Sequence, residues 1–285
     1  MKFYVPHFIA AFTIIAMSCN TQSSNKNADA DSMHAAAGEA ASDSLFTTEV
    51  TYSDGSKNYK SFAAYKNGVS NMPVVLVVPE WWGVNDYTKT RVKQLAELGY
   101  YAMAVDMYGD GKVTESPDSA GAWATPFYKD AQLAKNNFNA ALIKSKTFTN
   151  VDTSKIAAIG YCFGGGMVLN MARLGENLDG VASFHGSLNG NLPPAPKGSI
   201  KAAILVCHGN ADSMVPEKDV SNFKKEMDNA GADYSFIGYD NAKHAFTNPQ
   251  STAVGEKYNL DIAYNAAADQ ASWKELQFFL QRIFQ

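Results

Sequence analysis

The sequence predicts an α/β fold, with a mostly parallel central sheet, helices on both faces and an N-terminal antiparallel hairpin. Three observations carry this reading. Short, fully apolar runs such as residues 74–78 and 202–206 alternate with segments of helical apolar spacing, the pattern of buried parallel strands joined by helices. One such run, residues 155–160, leads straight into Gly160-x-Cys162-x-Gly164 and a helix opening at Gly165-Gly166-Met167. Ahead of them, residues 49–52 turn at Asp54-Gly55 into residues 59–64, a hairpin signal.

The elements follow in order. After the hairpin, Val74-Val75-Leu76-Val77-Val78 reads as a strand buried on both faces. Val92, Leu95 and Leu98 mark a helix stopped by Gly99, and residues 101–105 form the next strand. Residues 109–128 are a long polar connection, either a lid over a site or a surface excursion. A helix over 133–143 precedes the 155–160 strand. Further strands are expected at 181–184, 202–206 and 234–239, with a helix opened by Pro216 and Glu217. The last helix is expected over 259–284, with Trp273, Leu276, Phe279, Leu280 and Ile283 on one face. No internal repeat is visible.

Cysteine at the apex of a strand-to-helix turn suggests a nucleophile. The side chain is thrust above the sheet edge, and the residues two before and two after must be tiny to avoid the turn. The N–H of the next residue, Phe163, is then free to face an oxyanion. A buried structural cysteine in a tight turn is the bland alternative. Downstream, Asp212 lies in the loop after the 202–206 strand and His244 beyond the strand that ends near Tyr239, in the order nucleophile, acid, histidine. Of the five histidines, His7 falls in the leader and His34 in a polar linker. His185 and His208 follow strands but precede Asp212, so His244 is the expected base and His208 its rival. Asp219 and Asp240 are the other acids weighed. Upstream, Pro79-Glu80-Trp81-Trp82-Gly83 follows a core strand, which makes Trp81 the second oxyanion donor and places Glu80 opposite the thiol, or leaves it a surface glutamate. Trp82 and Tyr161 are candidate substrate contacts beside the nucleophile, with plain core packing as the alternative.

Glu80-Trp81-Trp82-Gly83-Val84-Asn85, Gly99-Tyr100 with Asp106-Met107-Tyr108, Gly160-Tyr161-Cys162-Phe163-Gly164-Gly165, Gly209-x-x-Asp212-x-x-Val215-Pro216 and His244-x-Phe246 together resemble the dienelactone hydrolase (carboxymethylenebutenolidase) family from about residue 46 onward. The resemblance implies an α/β-hydrolase fold, a Cys162-His244-Asp212 triad, a glutamate at Glu80, and hydrolysis of a small ester or lactone through a cysteinyl acyl-enzyme. Phe246 joins the expected substrate contacts. One departure bears on the substrate. The family holds a substrate carboxylate with arginines, one of them two residues beyond His-x-Phe, where this chain has Asn248. The chain has only three arginines, Arg91, Arg173 and Arg282, so the dienelactone itself is not the expected substrate. A non-catalytic lipoprotein on the same fold is the rival reading, which the presence of every triad member opposes.

The amino terminus reads separately. Residues 1–18 carry Lys2 and then an apolar run too short to span a bilayer, a secretory signal. Ala16-Met17-Ser18-Cys19 resembles a lipobox with Cys19 as the lipidated residue; a simple signal peptide is the alternative. Residues 19–44 are Asn/Ser/Asp/Ala-rich, a disordered tether, and residues 45–285 form one domain. An exported, lipid-anchored, extracytoplasmic monomer is therefore expected, touching membrane only through its anchor. The net charge of −4 gives no basic surface for nucleic acid. No zinc-type spacing, phosphate-binding loop or dinucleotide fingerprint appears, so no metal or cofactor is expected. The three cysteines give no disulfide framework, although a bridge between Cys162 and Cys207 at neighbouring strand ends would silence the site.

Overall fold

The computed structural model describes residues 44–285; the expected signal, Cys19 and the tether up to residue 43 lie outside the described residues. Strands β1 (Leu45–Ser53) and β2 (Asn58–Lys66) form the expected hairpin, paired antiparallel from Leu45↔Lys66 to Ser53↔Asn58. The Asp54 carboxylate closes its turn by accepting the N–H groups of Ser56 and Lys57, each at 2.8 Å. The sheet continues with β3 (Met72–Val78), β4 (Tyr101–Ala104), β5 (Val151–Tyr161), β6 (Gly180–Phe184), β7 (Ala203–Gly209) and β8 (Tyr234–Tyr239). The eight strands run in the order β1-β2-β4-β3-β5-β6-β7-β8, and every pairing from β4 to β8 is parallel.

Strand alternation divides the apolar residues between two cores. Val74, Leu76 and Val78 enter one, with Phe138, Phe163 and Met167; Val75 and Val77 enter the other, with Leu95, Tyr161 and Leu276. Helices cover both faces: α1 (Asp86–Glu97), α2 (Pro117–Lys129), α3 (Ala131–Ser145), α4 (Phe163–Arg173), α5 (Glu217–Ala230), α6 (Ser251–Tyr258) and α7 (Ala266–Ile283). Caps explain several starts. Asn85 Oδ1 accepts from Thr88 N–H at 3.1 Å ahead of α1, and Asp130 Oδ1 accepts from Gln132 and Leu133 ahead of α3.

Two expected spans differ. The polar connection at 109–128 is in good part a helix, α2, started by the Ser116 cap and Pro117, with Ala120, Ala124 and Phe127 forming its buried stripe. The final helix, expected over 259–284, starts only at Ala266, because Asn259 takes a left-handed φ of 53° as the cap of α6 and Asn265 caps the start of α7. Among the described residues no helix is long and apolar enough to cross a membrane.

Candidate active site

Cys162 stands at the apex between β5 and α4 with φ 52° and ψ −114°. A residue with a side chain holds that left-handed value only when its surroundings impose it. The surroundings are tight. A Cβ at Gly160 would lie 2.1 Å from the Gly164 carbonyl oxygen, and one at Gly164 would lie 2.2 Å from that of Val78. Both obstacles are backbone, so both positions require glycine, as the turn geometry demanded. The Gly164 N–H donates to the Pro79 carbonyl at 3.1 Å, which ties the start of α4 to the loop after β3 and brings Glu80 and Trp81 beside the cysteine.

Asp212 and His244, the acid and base expected from the sequence, come from the loops after β7 and β8. Asp212 follows β7; its Oδ1 accepts the Met214 N–H at 2.9 Å and its Oδ2 pairs with His244 Nδ1 at 2.8 Å. Nδ1 therefore carries a proton toward the carboxylate, which leaves Nε2 to serve the sulfur. His244 is buried. Burial alone would lower its pKa, yet the Cys162 sulfur and the Asp212 carboxylate outweigh it and hold the imidazole well above its ordinary value. Its loop is clamped by the C-terminal segment, through Ala263 N–H to the His244 carbonyl at 3.2 Å and Asn265 N–H to the Phe246 carbonyl at 3.0 Å.

Glu80 is buried and accepts Asn248 Nδ2 on its Oε2 at 2.8 Å. The Asn248 amide is oriented unambiguously, because its Oδ1 accepts the Gln250 N–H at 3.0 Å. Burial pushes Glu80 up to about 7, against the lowering influence of Asn248, His244 and Arg91. The Glu80 carbonyl accepts from Gly83 N–H at 3.2 Å, so across the trans peptide the Trp81 N–H points the other way. The Phe163 N–H opens α4, where a helix has unsatisfied donors.

Cys162, His244, Glu80, Trp81 and Trp82 line one cavity of about 430 Å³. The rest of its wall is mainly apolar, with Ala124, Met214, Val215, Leu260 and Ile262, and with Gly121, Thr125 and Tyr128 from α2. The Trp81 and Trp82 rings meet edge to face, 5.0 Å between centroids.

Two expected substrate contacts are corrected. Tyr161 does not line this cavity: as the neighbour of Cys162 on β5 it points to the opposite core and stacks on Phe184 at 4.9 Å. Phe246 is fully buried and packs on His185 and Tyr239. The rival base His208 lines a separate cavity with Asn210 and Lys224, behind Asp212. Cys162 and Cys207 are both free; Cys207 lies in the opposite core, where burial pushes its thiol up to about 12.

Sequence reasoning left residues 109–128 as either a lid over the site or a surface excursion and missed the helix α2 within them, although the Ser116-Pro117 start and the spacing of Ala120, Ala124 and Phe127 signalled one. It also missed Asn248 as the partner of Glu80, having read it only as an absent arginine.

Residues 60–284 match the Dienelactone hydrolase family. A Methylorubrum extorquens protein provisionally named a carboxymethylenebutenolidase is 27% identical over 215 residues, 72% of this chain and 70% of its own. The crystal structure of a dienelactone hydrolase-like promiscuous phosphotriesterase from metagenomic libraries superposes with a TM-score of 0.77 at 32% identity, covering 84% of this chain and 98% of that one. A thermophilic esterase of Thermogutta terrifontis shares the fold, with a TM-score of 0.59 at 18% identity over 83% of this chain and 94% of its own. With its mixed eight-stranded sheet, this chain belongs to the dienelactone hydrolase family and is a hydrolase of the α/β-hydrolase fold.

Proposed function

We propose that the protein hydrolyses a small, uncharged ester or lactone through a cysteinyl acyl-enzyme, with Cys162 as nucleophile, His244 as base and Asp212 as its orienting acid. The observation that carries this reading is the strained Cys162 at the mouth of an apolar cavity beside the bonded His244–Asp212 pair. In the acylation step the sulfur, its proton passed to His244 Nε2, attacks the carbonyl carbon. The N–H groups of Phe163 and Trp81 bind the resulting oxyanion. The C–O bond to the leaving alcohol breaks as His244 returns the proton to that oxygen. Water, deprotonated by His244, then attacks the thioester and expels the sulfur, which restores the starting state.

The cavity wall supports the substrate class. Among the described residues that line it there is no lysine or arginine, and Glu80 is its one carboxyl group. A substrate carboxylate would meet no cation there, whereas an acyl group of a few carbons matches the apolar lining. Asn248, at the position where the family's arginine is expected, donates to Glu80 instead.

Cys162→Ala in the full-length protein should reduce kcat for p-nitrophenyl acetate by at least about 10³-fold with the fold retained. Neutral esters should be cleaved well ahead of carboxylate-bearing analogues of equal size. Wild-type turnover by the alanine variant would remove Cys162 from the chemistry.

The same proposal extends to location. Ala16-Met17-Ser18-Cys19 after a short apolar run supports processing and lipidation at Cys19, with an extracytoplasmic, membrane-held domain as the product.

A further inference from the structure

Behind the nucleophile runs a chain of buried polar groups that the reaction above does not use. The Cys162 N–H bonds the Phe184 carbonyl at 3.0 Å and also donates to His185 Nδ1 at 3.1 Å. A backbone N–H can only donate, so Nδ1 presents its lone pair and, in the neutral ring, Nε2 carries the hydrogen. Nε2 lies 2.7 Å from Thr247 Oγ1, in the same loop as His244. Thr247 Oγ1 is 2.6 Å from Tyr87 Oη, and Arg91 closes the chain with Nη2 donating to the Thr247 carbonyl at 2.7 Å. Arg91 is itself held by Asp269 of α7.

The chain meets the backbone where it is strained. Cys162, His185 and Ala245 have φ values of 52°, 41° and 57°, a region that residues with side chains seldom occupy. His185 is fully buried, and its ring lies 5.4 Å from that of His244, centroid to centroid. A buried imidazole is costly unless both nitrogens are bonded. Here both are, one to the nucleophile's backbone and one to the base's loop.

We infer that His185 is a positioning residue: it holds the Cys162 turn and the His244 loop in register by bonding the first through Nδ1 and the second through Thr247. This rests on the reading of Cys162 and His244 as nucleophile and base. Protonation would turn Nδ1 into a donor facing another donor. Burial, with the positive neighbours His244 and Arg91, holds His185 well below the ordinary imidazole range, so the accepting form persists.

Three variants of the full-length protein separate the two bonds. His185→Phe keeps the bulk and loses both; His185→Asn keeps an acceptor near the Nδ1 position; Thr247→Val removes only the hydroxyl. With a neutral p-nitrophenyl ester, His185→Phe should lower kcat about 10- to 100-fold and change KM less than about twofold. Alkylation of Cys162 by iodoacetamide at neutral pH should slow in parallel. His185→Asn should recover much of both rates, and Thr247→Val should lose several-fold. All rates are read at a temperature where melting curves show every variant folded. Wild-type kcat and alkylation in His185→Phe, or a lowered Tm with kcat unchanged, would overturn the inference, as would equal losses in the Asn and Phe variants. Cys162→Ala serves as the separate control: if it stays active, the underlying nucleophile assignment fails instead.

Discussion

At the residue scale the chemistry is set by which groups share the low-dielectric space around Cys162. Glu80 is the decisive one, since burial pushes it up to about 7 and, among the described residues, its one side-chain hydrogen-bond partner is the neutral Asn248 amide. Its folded-state pKa is raised above that of an exposed carboxyl, so between pH ~4.5 and ~7 the native state binds the extra proton and stability falls as pH rises. Integrated over that window, the change is on the order of 3 kcal/mol. Glu80→Gln should therefore flatten stability against pH in this window, with its largest gain over wild type above pH ~7, as urea melts at several pH values would show. The pH profile of iodoacetamide alkylation should also lose a step near neutrality. Parallel stability curves for the two proteins would mean that Glu80 titrates as an ordinary carboxyl. The Cys162 turn and the pairing of His244 with Asp212 were legible because the elbow geometry permits little but glycine at 160 and 164 and because chain order narrows the choice of acid and histidine. The roles given to Tyr161 and Phe246 failed for a reason equally physical. Adjacency to the nucleophile in sequence puts a strand residue on the other face of the sheet, and an aromatic ring there is core.

At the element scale the unexpected part is α2. Polar composition hid it, because three of its residues face a cavity instead of a core and so break the apolar stripe that identifies an amphipathic helix. Its buried face rests on Ala120, Ala124 and Phe127, while Gly121, Thr125 and Tyr128 border the space in front of Cys162. If this helix bounds the acyl group, then Thr125→Trp should shorten the preferred chain. The ratio of kcat/KM for p-nitrophenyl hexanoate to that for the acetate should fall about tenfold or more, since blocking a few buried methylenes at ~0.8 kcal/mol each is enough. Thr125 is exposed, so Tm should barely move. A ratio equal to that of the wild type would place the acyl group elsewhere. The final helix teaches the complementary lesson. Apolar spacing from Trp273 onward identified it, but its start could not be seen, since an asparagine that breaks a helix and one that caps it look alike until the backbone is known.

At the scale of the whole molecule, the mostly parallel sheet with helices on both faces followed from apolar runs that only a sheet covered on each side could bury, whereas the order of the strands was not legible in the sequence. The leader carries a separate proposal. Cys19→Ser should leave the esterase activity of the chain intact and move it from the membrane fraction to the soluble fraction, or leave it uncleaved. High salt should not release the wild-type protein, because an acyl anchor is not screened by ions. Recovery of wild-type protein wholly in the soluble extracytoplasmic fraction, with an unmodified N-terminus, would remove the anchor and leave a secreted hydrolase.

The clamp on the His244 loop has a consequence in time. The Cys162 turn is bonded to Pro79 after β3 and to Phe184 and His185 at the end of β6, and the Asp212 turn to Tyr239 and Ala242 at the end of β8, so these contacts are all present once residue 242 has been made. The loop of His244, the proposed base, is different, since it is pinned by Ile262, Ala263 and Asn265, some twenty residues further on. A nascent or truncated chain ending before residue 262 would contain Cys162, Asp212 and His244 in sequence and still lack the contacts that hold the His244 loop. On the proposed roles of Cys162 and His244, hydrolytic competence is thus withheld until residue 265 has joined the fold, and intermediates lacking that segment carry Cys162 beside a His244 loop that nothing yet holds.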